Sequence, residues 1–326
     1  MNAKNQERYY CLDLFKGIAC IFVVFMHCEF PGKLGTIVQA ISRFCVPFFF
    51  MVSGYFCYSE SHKVEYFKKI KHIAIITLCT FIFYTILALV FERDISVTSK
   101  EVIDWLLFND PIIIVGQMWF LFALLYVYVV FALIEKLNLT KYTLYIVPVL
   151  CLAYISLAQG MHIIGVSVPN HFYRNWLIEG LLFFTLGYWI HRKWSTVKLP
   201  NAVLIVGIAI STILCVVERE LLGRDFGVNI CSFPQVVLIF LYCIKNKEKG
   251  NNNGLMKLGR DYSLYVYVFH PAIWNAIKLV YSYTGLSKNV IAQYCMPILV
   301  VIISILWSVI FCKVISQMKK IKRGRT

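Results

Sequence analysis

The sequence predicts an all-α protein, a multi-pass membrane helical bundle of about ten transmembrane helices with both termini cytoplasmic. Composition is the first observation. The 326 residues are 60% hydrophobic, 16% aromatic and only 15% charged, with a mean hydropathy of +0.70, too little polar surface for a soluble domain. The second is the succession of apolar runs, at residues 11–30, 36–58, 73–91, 112–134, 142–159, 176–191, 201–217, 228–244, 262–281 and 290–312, most of them near the length that crosses a bilayer. The third is where the cations fall. With the N terminus inside, 22 of the 32 Lys and Arg fall in cytoplasmic segments, 7 in outer loops and 3 (Lys16, Arg43 and Lys278) within the runs. This is the positive-inside asymmetry. It accounts for the net charge of +15 through an anionic inner leaflet, so no nucleic-acid partner is expected. The chain reads as a single integral-membrane domain over 1–326.

Other classes are set aside on simpler grounds. The first run lacks a small-residue cleavage site and is as long as a span, so no cleavable signal peptide is expected. The twelve cysteines are scattered through apolar runs without a C-x-x-C pair and read as small apolar fillers. No H-E-x-x-H pattern occurs, so no metal is expected; no G-x-x-x-x-G-K-[ST] phosphate loop occurs either, and Ser53-Gly54 and Gly180 read as helix-packing positions. Internal repeats are not evident, which weakens inverted-repeat transporter architectures. The stretch KNKEKGNNNG at 245–254 is a polar connector.

In the first run, Asp13, Lys16 and His27 sit inside Cys11-LDLFKGIACIFVVFM-His27. Ionisable groups at membrane depth are costly and therefore functional candidates. Lys16 and His27, eleven positions apart, share a helix face roughly 16 Å apart along the axis. In the second run, Arg43 lies about two turns in from the outer side, level with His27, and the short turn FPGKLG makes the two helices antiparallel neighbours. A snorkelling role for Arg43 and a packing role for His27 are the plainer alternatives. Further polar groups fall at the outer ends of later runs: Gln117 and Trp119, Glu179, Asn229, Gln235, Asn275 and Lys278. The outer loop Asn170-HFY-Arg174 would suit a carbohydrate, while Trp119, Tyr173 and Trp176 are equally readable as an aromatic belt. In the ninth run His270 precedes Pro271, whose missing N–H frees a backbone carbonyl; a structural kink histidine and a catalytic partner are both consistent with that position.

Four segments resemble the multi-pass acyltransferases of family 3: LDLFKGIACIFVVFMH (Leu12–His27), RFCVPFFFMVSGYF (Arg43–Phe56), QMWFLFALLYVY (Gln117–Tyr128) and SLYVYVFHP (Ser263–Pro271). They occur in the family's order and span the chain. The family commonly has arginine where this chain has Lys16, which replaces a bidentate contact by a point charge able to meet a phosphate or carboxylate. The chain ends after its last run, so an appended extracellular esterase-like module, where one is needed, is expected from another protein.

The resemblance implies an acyl-CoA donor on the cytoplasmic side and a sugar or glycolipid acceptor. The expected activity is O-acetylation of a cell-envelope polysaccharide or its lipid-linked precursor, with acetyl-CoA as substrate rather than cofactor. The chemistry fits the residues. His27 can deprotonate a hydroxyl or carry the acyl group, Arg43 can steady an oxyanion, and Lys16, paired with Asp13, lies where a pantetheine arm would run. Expected catalytic residues are therefore His27, Arg43 and Asp13; acyl-CoA-binding residues are Lys16 and Arg43; acceptor or supporting residues are Gln117, Trp119, Glu179 and His270. The competing classes are a transporter or flippase, in which buried charges line a path, and a non-catalytic partner of polysaccharide-assembly proteins.

Overall fold

The computed structural model describes residues 8–60, 64–91, 97–110, 116–194 and 196–323. Lys4, Lys63, Arg93 and Arg325 of the charge tally, and the start of the fourth predicted run, lie outside them. Among the described residues all regular structure is helical. In chain order the helices are α1 (Tyr10–His27), α2 (Gly32–Ile41), α3 (Cys45–Tyr55), α4 (Tyr66–Val90), α5 (Ser99–Phe108), α6 (Trp119–Lys136), α7 (Thr143–Ile155), α8 (Met161–Ile163), α9 (Leu181–Trp194), α10 (Asn201–Leu222), α11 (Ser232–Lys245), α12 (Gly254–Lys257), α13 (Ser263–Thr284) and α14 (Val290–Arg323).

Among the described residues seven helical stretches are long and apolar enough to cross a membrane: Tyr10–His27, Gly32–Tyr55, Tyr66–Val90, Trp119–Lys136, Thr140–Ile163, Asn201–Leu222 and Val290–Met318. The other three predicted runs also coincide with helices, but each departs from a plain span. α9 follows a π-helical segment at Trp176–Gly180 and carries His191, Arg192 and Lys193 in its last turn. α11 has 14 residues, about 21 Å, short of a hydrocarbon core of about 30 Å. α13 is long enough at 22 residues but carries His270, Asn275 and Lys278.

Two local features differ from the sequence expectation. The second span is not one straight helix, because a 3-10 turn at Ser42–Phe44 separates α2 from α3 and Arg43 sits in that turn. α5 lies in what reads as an outer loop. A capping box starts it: the Thr98 side chain accepts from the Glu101 backbone N–H, and the Glu101 carboxylate accepts from the Thr98 N–H at 2.7 Å. Such reciprocal caps satisfy donors a short helix otherwise exposes.

The chain forms two compact units. The first comprises Met1–Cys45, Val197–Leu221 and Cys231–Thr326. Here α1 is the hub, packing against α2, α11, α13, α14 and α12 with the π-helical segment Leu258–Tyr262 that follows it. Two glycines set how closely α1 approaches that last element. A Cβ on Gly17 would lie 2.1 Å from the Leu255 carbonyl oxygen, and one on Gly259 would lie 1.9 Å from that of Asp13. Only backbone fits between them.

The second unit comprises Val46–Thr196 and Leu222–Ile230. Its core is aromatic, with Phe48, Phe50, Phe131, Phe183 and Phe184 fully buried. Gly54 and Gly187 bring α3 and α9 together in the same manner, since a Cβ on either would lie 1.9 Å from the carbonyl of Phe184 or Met51. Gly180 packs against the side chains of Val127 and Phe50. Trp189 closes a buried bond to Thr143, its indole N–H donating to the hydroxyl at 2.9 Å.

Candidate functional site

The first unit holds His27, Arg43, Asp13, Lys16 and His270, arranged in an upper and a lower group along α1. His27 is the last residue of α1. Its ring stacks on that of His270, with centroids 5.3 Å apart and planes inclined by 26°. His27 is half-buried, whereas His270 is fully enclosed at 0% exposure. Helix α13 places His270 one position before Pro271, so the Tyr267 carbonyl, four residues before the proline, lacks its helical N–H. The His270 ring turns toward the same stretch of backbone, its Nδ1 lying 3.2 Å from the Val266 carbonyl.

Arg43 reaches the same end of α1 through a residue that motif reading does not single out. Its guanidinium Nη2 donates to the Gln39 side-chain oxygen at 2.5 Å. The Gln39 amide in turn donates to the carbonyls of Met26 at 2.8 Å and Phe25 at 3.3 Å. Gln39 is 5% exposed and lies four residues before Arg43, a helical spacing that is the one sequence signal for it. The chain Arg43–Gln39–Met26 thus ties the arginine, through Gln39, to the backbone of the residue before His27. From the other side Gln235, 2% exposed, donates to the Ile41 carbonyl at 3.4 Å and to the Thr212 hydroxyl at 3.0 Å, tying α11 and α10 to the same turn.

The lower group begins with the expected pair: Lys16 donates to Asp13 at 3.1 Å, with both side chains about one-fifth exposed. It extends to two residues that sequence reading passed over. Arg260 donates to both Asp261 oxygens, at 2.8 and 2.7 Å. That bidentate contact, with further help from Lys16 and Arg8, holds the Asp261 carboxyl below its ordinary range despite partial burial. The link between the two pairs is the Gly17–Gly259 contact, a long-range packing event that neither segment announces by itself. Asp13, Lys16, Arg260 and Asp261 balance one another in charge, and Arg8 adds a further cation to their field.

Gln117, Trp119 and Glu179 belong to the second unit. Gln117 is half-buried in the 3-10 turn before α6. Trp119 opens α6 at 6% exposure, and the Arg174 guanidinium lies over its ring, 5.1 Å from the centroid. Such a pair joins cation–π attraction to an apolar platform. Glu179, 1% exposed, converges with Tyr154 and Arg174 on Gly227: a Cβ there would lie 2.8 Å from the Tyr154 hydroxyl, 3.2 Å from Glu179 Oε2 and 3.3 Å from Arg174 Cδ. The Tyr154 hydroxyl accepts from the Val228 N–H at 2.5 Å. Of these partners, Arg174 was legible as part of a polar loop, while Tyr154 and Gly227 carry no motif. Asn275 and Lys278 are exposed, and Lys278 lies over the Trp274 ring at 3.6 Å.

The acyltransferase domain of family 3 matches the chain over residues 9–317. The chain belongs to that family. The match runs through both compact units and contains every residue of the upper and lower groups. A membrane acyltransferase is therefore the frame in which His27, Arg43 and His270 are read. Comparison with curated proteins and with solved structures gives no match.

Proposed function

We propose that this acyltransferase takes an acyl group, acetyl in the first instance, from acyl-CoA presented at the cytoplasmic side. It passes the group to a hydroxyl of a sugar in a cell-envelope polysaccharide or its lipid-linked precursor. The observation that carries this reading is the upper group: an imidazole, a second imidazole stacked on it, and a guanidinium anchored to the same helix end.

The chemistry needs three things. The acceptor hydroxyl must lose its proton as it attacks the thioester carbonyl, and a neutral imidazole at His27 takes it near neutral pH or carries the acyl group itself. The carbonyl oxygen gains charge as the carbon becomes tetrahedral, and Arg43, fixed beforehand by Gln39, opposes that charge without reorganising. The thiolate of CoA then leaves. On the donor side Lys16 is the phosphate contact in this reading, and to serve it must exchange Asp13 for the phosphate. Within the second unit, taken by itself, Trp119 with Arg174 and Glu179 with Tyr154 form an aromatic and polar cluster of the kind that sugars bind.

The topology that goes with this is ten spans with both termini cytoplasmic. It is supported by the cation tally and by helices at all ten predicted runs. It makes the chain one acyltransferase domain, working alongside polysaccharide-assembly proteins.

The deciding experiment uses purified protein in lipid vesicles supplied with acetyl-CoA and a sugar acceptor. Release of CoA that depends on the acceptor is the expected result, and a mass comparison of surface glycans from cells with and without the gene should show an acyl increment. Vesicles that accumulate an unmodified solute and release no CoA would instead favour a transporter.

A further inference from the structure

We propose that His270 is a fixed, uncharged hydrogen-bond acceptor for an O–H or N–H of the bound substrate, placed beside His27 in the transfer site. The inference rests on the acyl-transfer reading and adds to it a residue with a defined tautomer.

The geometry determines which ring nitrogen carries the proton. A backbone carbonyl only accepts, so the His270 Nδ1 that faces the Val266 oxygen at 3.2 Å carries the N–H,. A fully enclosed ring with no carboxylate among its recorded contacts stays neutral, because a buried charge without a counter-charge is costly. Nε2 is then left with an in-plane lone pair, and this atom is buried with no hydrogen-bond partner among the described residues.

His27 cannot be that partner. The two rings are stacked, and a lone pair in one ring plane does not point at atoms of a ring lying above it. Tyr267, the other aromatic neighbour, has its ring 6.1 Å away centroid to centroid, and no bond joins its hydroxyl to Nε2. A buried acceptor without a donor costs stability unless something binds there. Its position against the proposed catalytic imidazole makes the reacting substrate the candidate. Two sources offer the required X–H: a hydroxyl of the acceptor, and an amide N–H of the pantetheine arm of the donor. In either case His270 itself neither gains nor loses a proton, and the proton released by the acceptor hydroxyl goes to His27.

Two near-isosteres separate the halves of the ring. In His270→Asn the side-chain amide N–H sits where Nδ1 was and keeps the bond to Val266, but nothing replaces Nε2. In His270→Gln the amide oxygen reaches the Nε2 position. With purified protein in vesicles, acetyl-CoA and an alkyl glycoside as probes, His270→Asn should melt like wild type and lose about tenfold or more in kcat/KM, while His270→Gln recovers most of that loss. The pH profile of His270→Gln should keep its imidazole limb, since His27 carries the proton. A raised KM for the glycoside alone assigns the bond to the acceptor, and a raised KM for acetyl-CoA alone assigns it to the donor. Transfer at the wild-type rate by His270→Asn overturns the proposal. So does loss of the imidazole limb in His270→Gln, which would make His270 the base.

Nitrogen NMR of histidine-labelled wild-type protein tests the same claim without turnover and holds even where both variants misfold. It should show a ring with unprotonated Nε2 whose resonance moves when either probe binds, and a protonated Nε2 or an unmoved resonance counts against the proposal. If wild type releases no CoA with any acceptor, the acyl-transfer reading fails by itself, while the tautomer result still stands.

Discussion

Arg43 is bound to Gln39 by a 2.5 Å hydrogen bond, and the Gln39 amide is in turn bound to the last turn of α1. A long, flexible cation in a 3-10 turn is thereby converted into one held to the last turn of α1, and a fixed donor opposes developing charge better than one that must reorient.

The first prediction concerns that chain. Arg43→Lys loses the planar fork that meets Gln39 and should depress turnover roughly a hundred- to a thousandfold, the effect of removing one oxyanion donor, about 2.7 to 4 kcal/mol. Gln39→Glu keeps an acceptor for the guanidinium but has no N–H for the Met26 carbonyl, and should fall between wild type and Arg43→Lys. Rates measured as CoA release in vesicles check both, with acetyl-CoA binding near normal in each. Full activity in Arg43→Lys would reduce the arginine to a structural role.

The second concerns His27. His27→Ala should abolish acyl transfer while the protein still inserts and accumulates, because the other imidazole of the upper group, His270, is fully enclosed and in this reading takes up no proton. Immunoblotting of membranes alongside the glycan mass comparison checks it. Normal acetylation by a well-expressed variant would remove the imidazole from the mechanism.

The third concerns the donor. Lys16→Ala should weaken acyl-CoA binding and Lys16→Arg should retain much of it, since either cation can meet a phosphate. Calorimetry with acetyl-CoA is the measurement. Because Lys16 is already bonded to Asp13 at 3.1 Å, unchanged affinity in Lys16→Ala would leave the lysine as half of a structural pair.

The fourth concerns stability. Gly259→Ala places a methyl 1.9 Å from the Asp13 carbonyl oxygen and 2.5 Å from the Gly17 nitrogen, both backbone atoms that cannot step aside. It should cost about 1–3 kcal/mol or more and lower the melting temperature in detergent. Gly254→Ala, with nothing within 4 Å of the added atom, is the control and should melt as wild type. Equal melting of the two would mean that α1 and the 258–262 segment do not pack as described.

What the sequence by itself determined is what depends on neighbours along the chain. Helices occur at all ten apolar runs because run length and apolarity act locally. The Lys16–Asp13 pair forms because three residues is one turn, and the α5 cap was readable in Thr98-SK-Glu101 by the same logic, although its shortness hid it. The motif segments carried the family, and with it His27, Arg43 and His270 as residues to watch.

Tertiary structure decided the rest. That His27 stacks on His270, that Gln39 mediates between Arg43 and α1, and that Tyr154, Arg174 and Glu179 converge on Gly227 are contacts between distant segments, fixed by which helices pack and by how closely glycine lets them approach. The break at Ser42–Phe44 has a local cause as well, because Pro47 lacks the N–H that would bond the Arg43 carbonyl, while α1 and α11 pack against the turn. Hydropathy records how much surface a segment buries, and it does not record against what; the partner of a buried polar atom is chosen only when the helices meet.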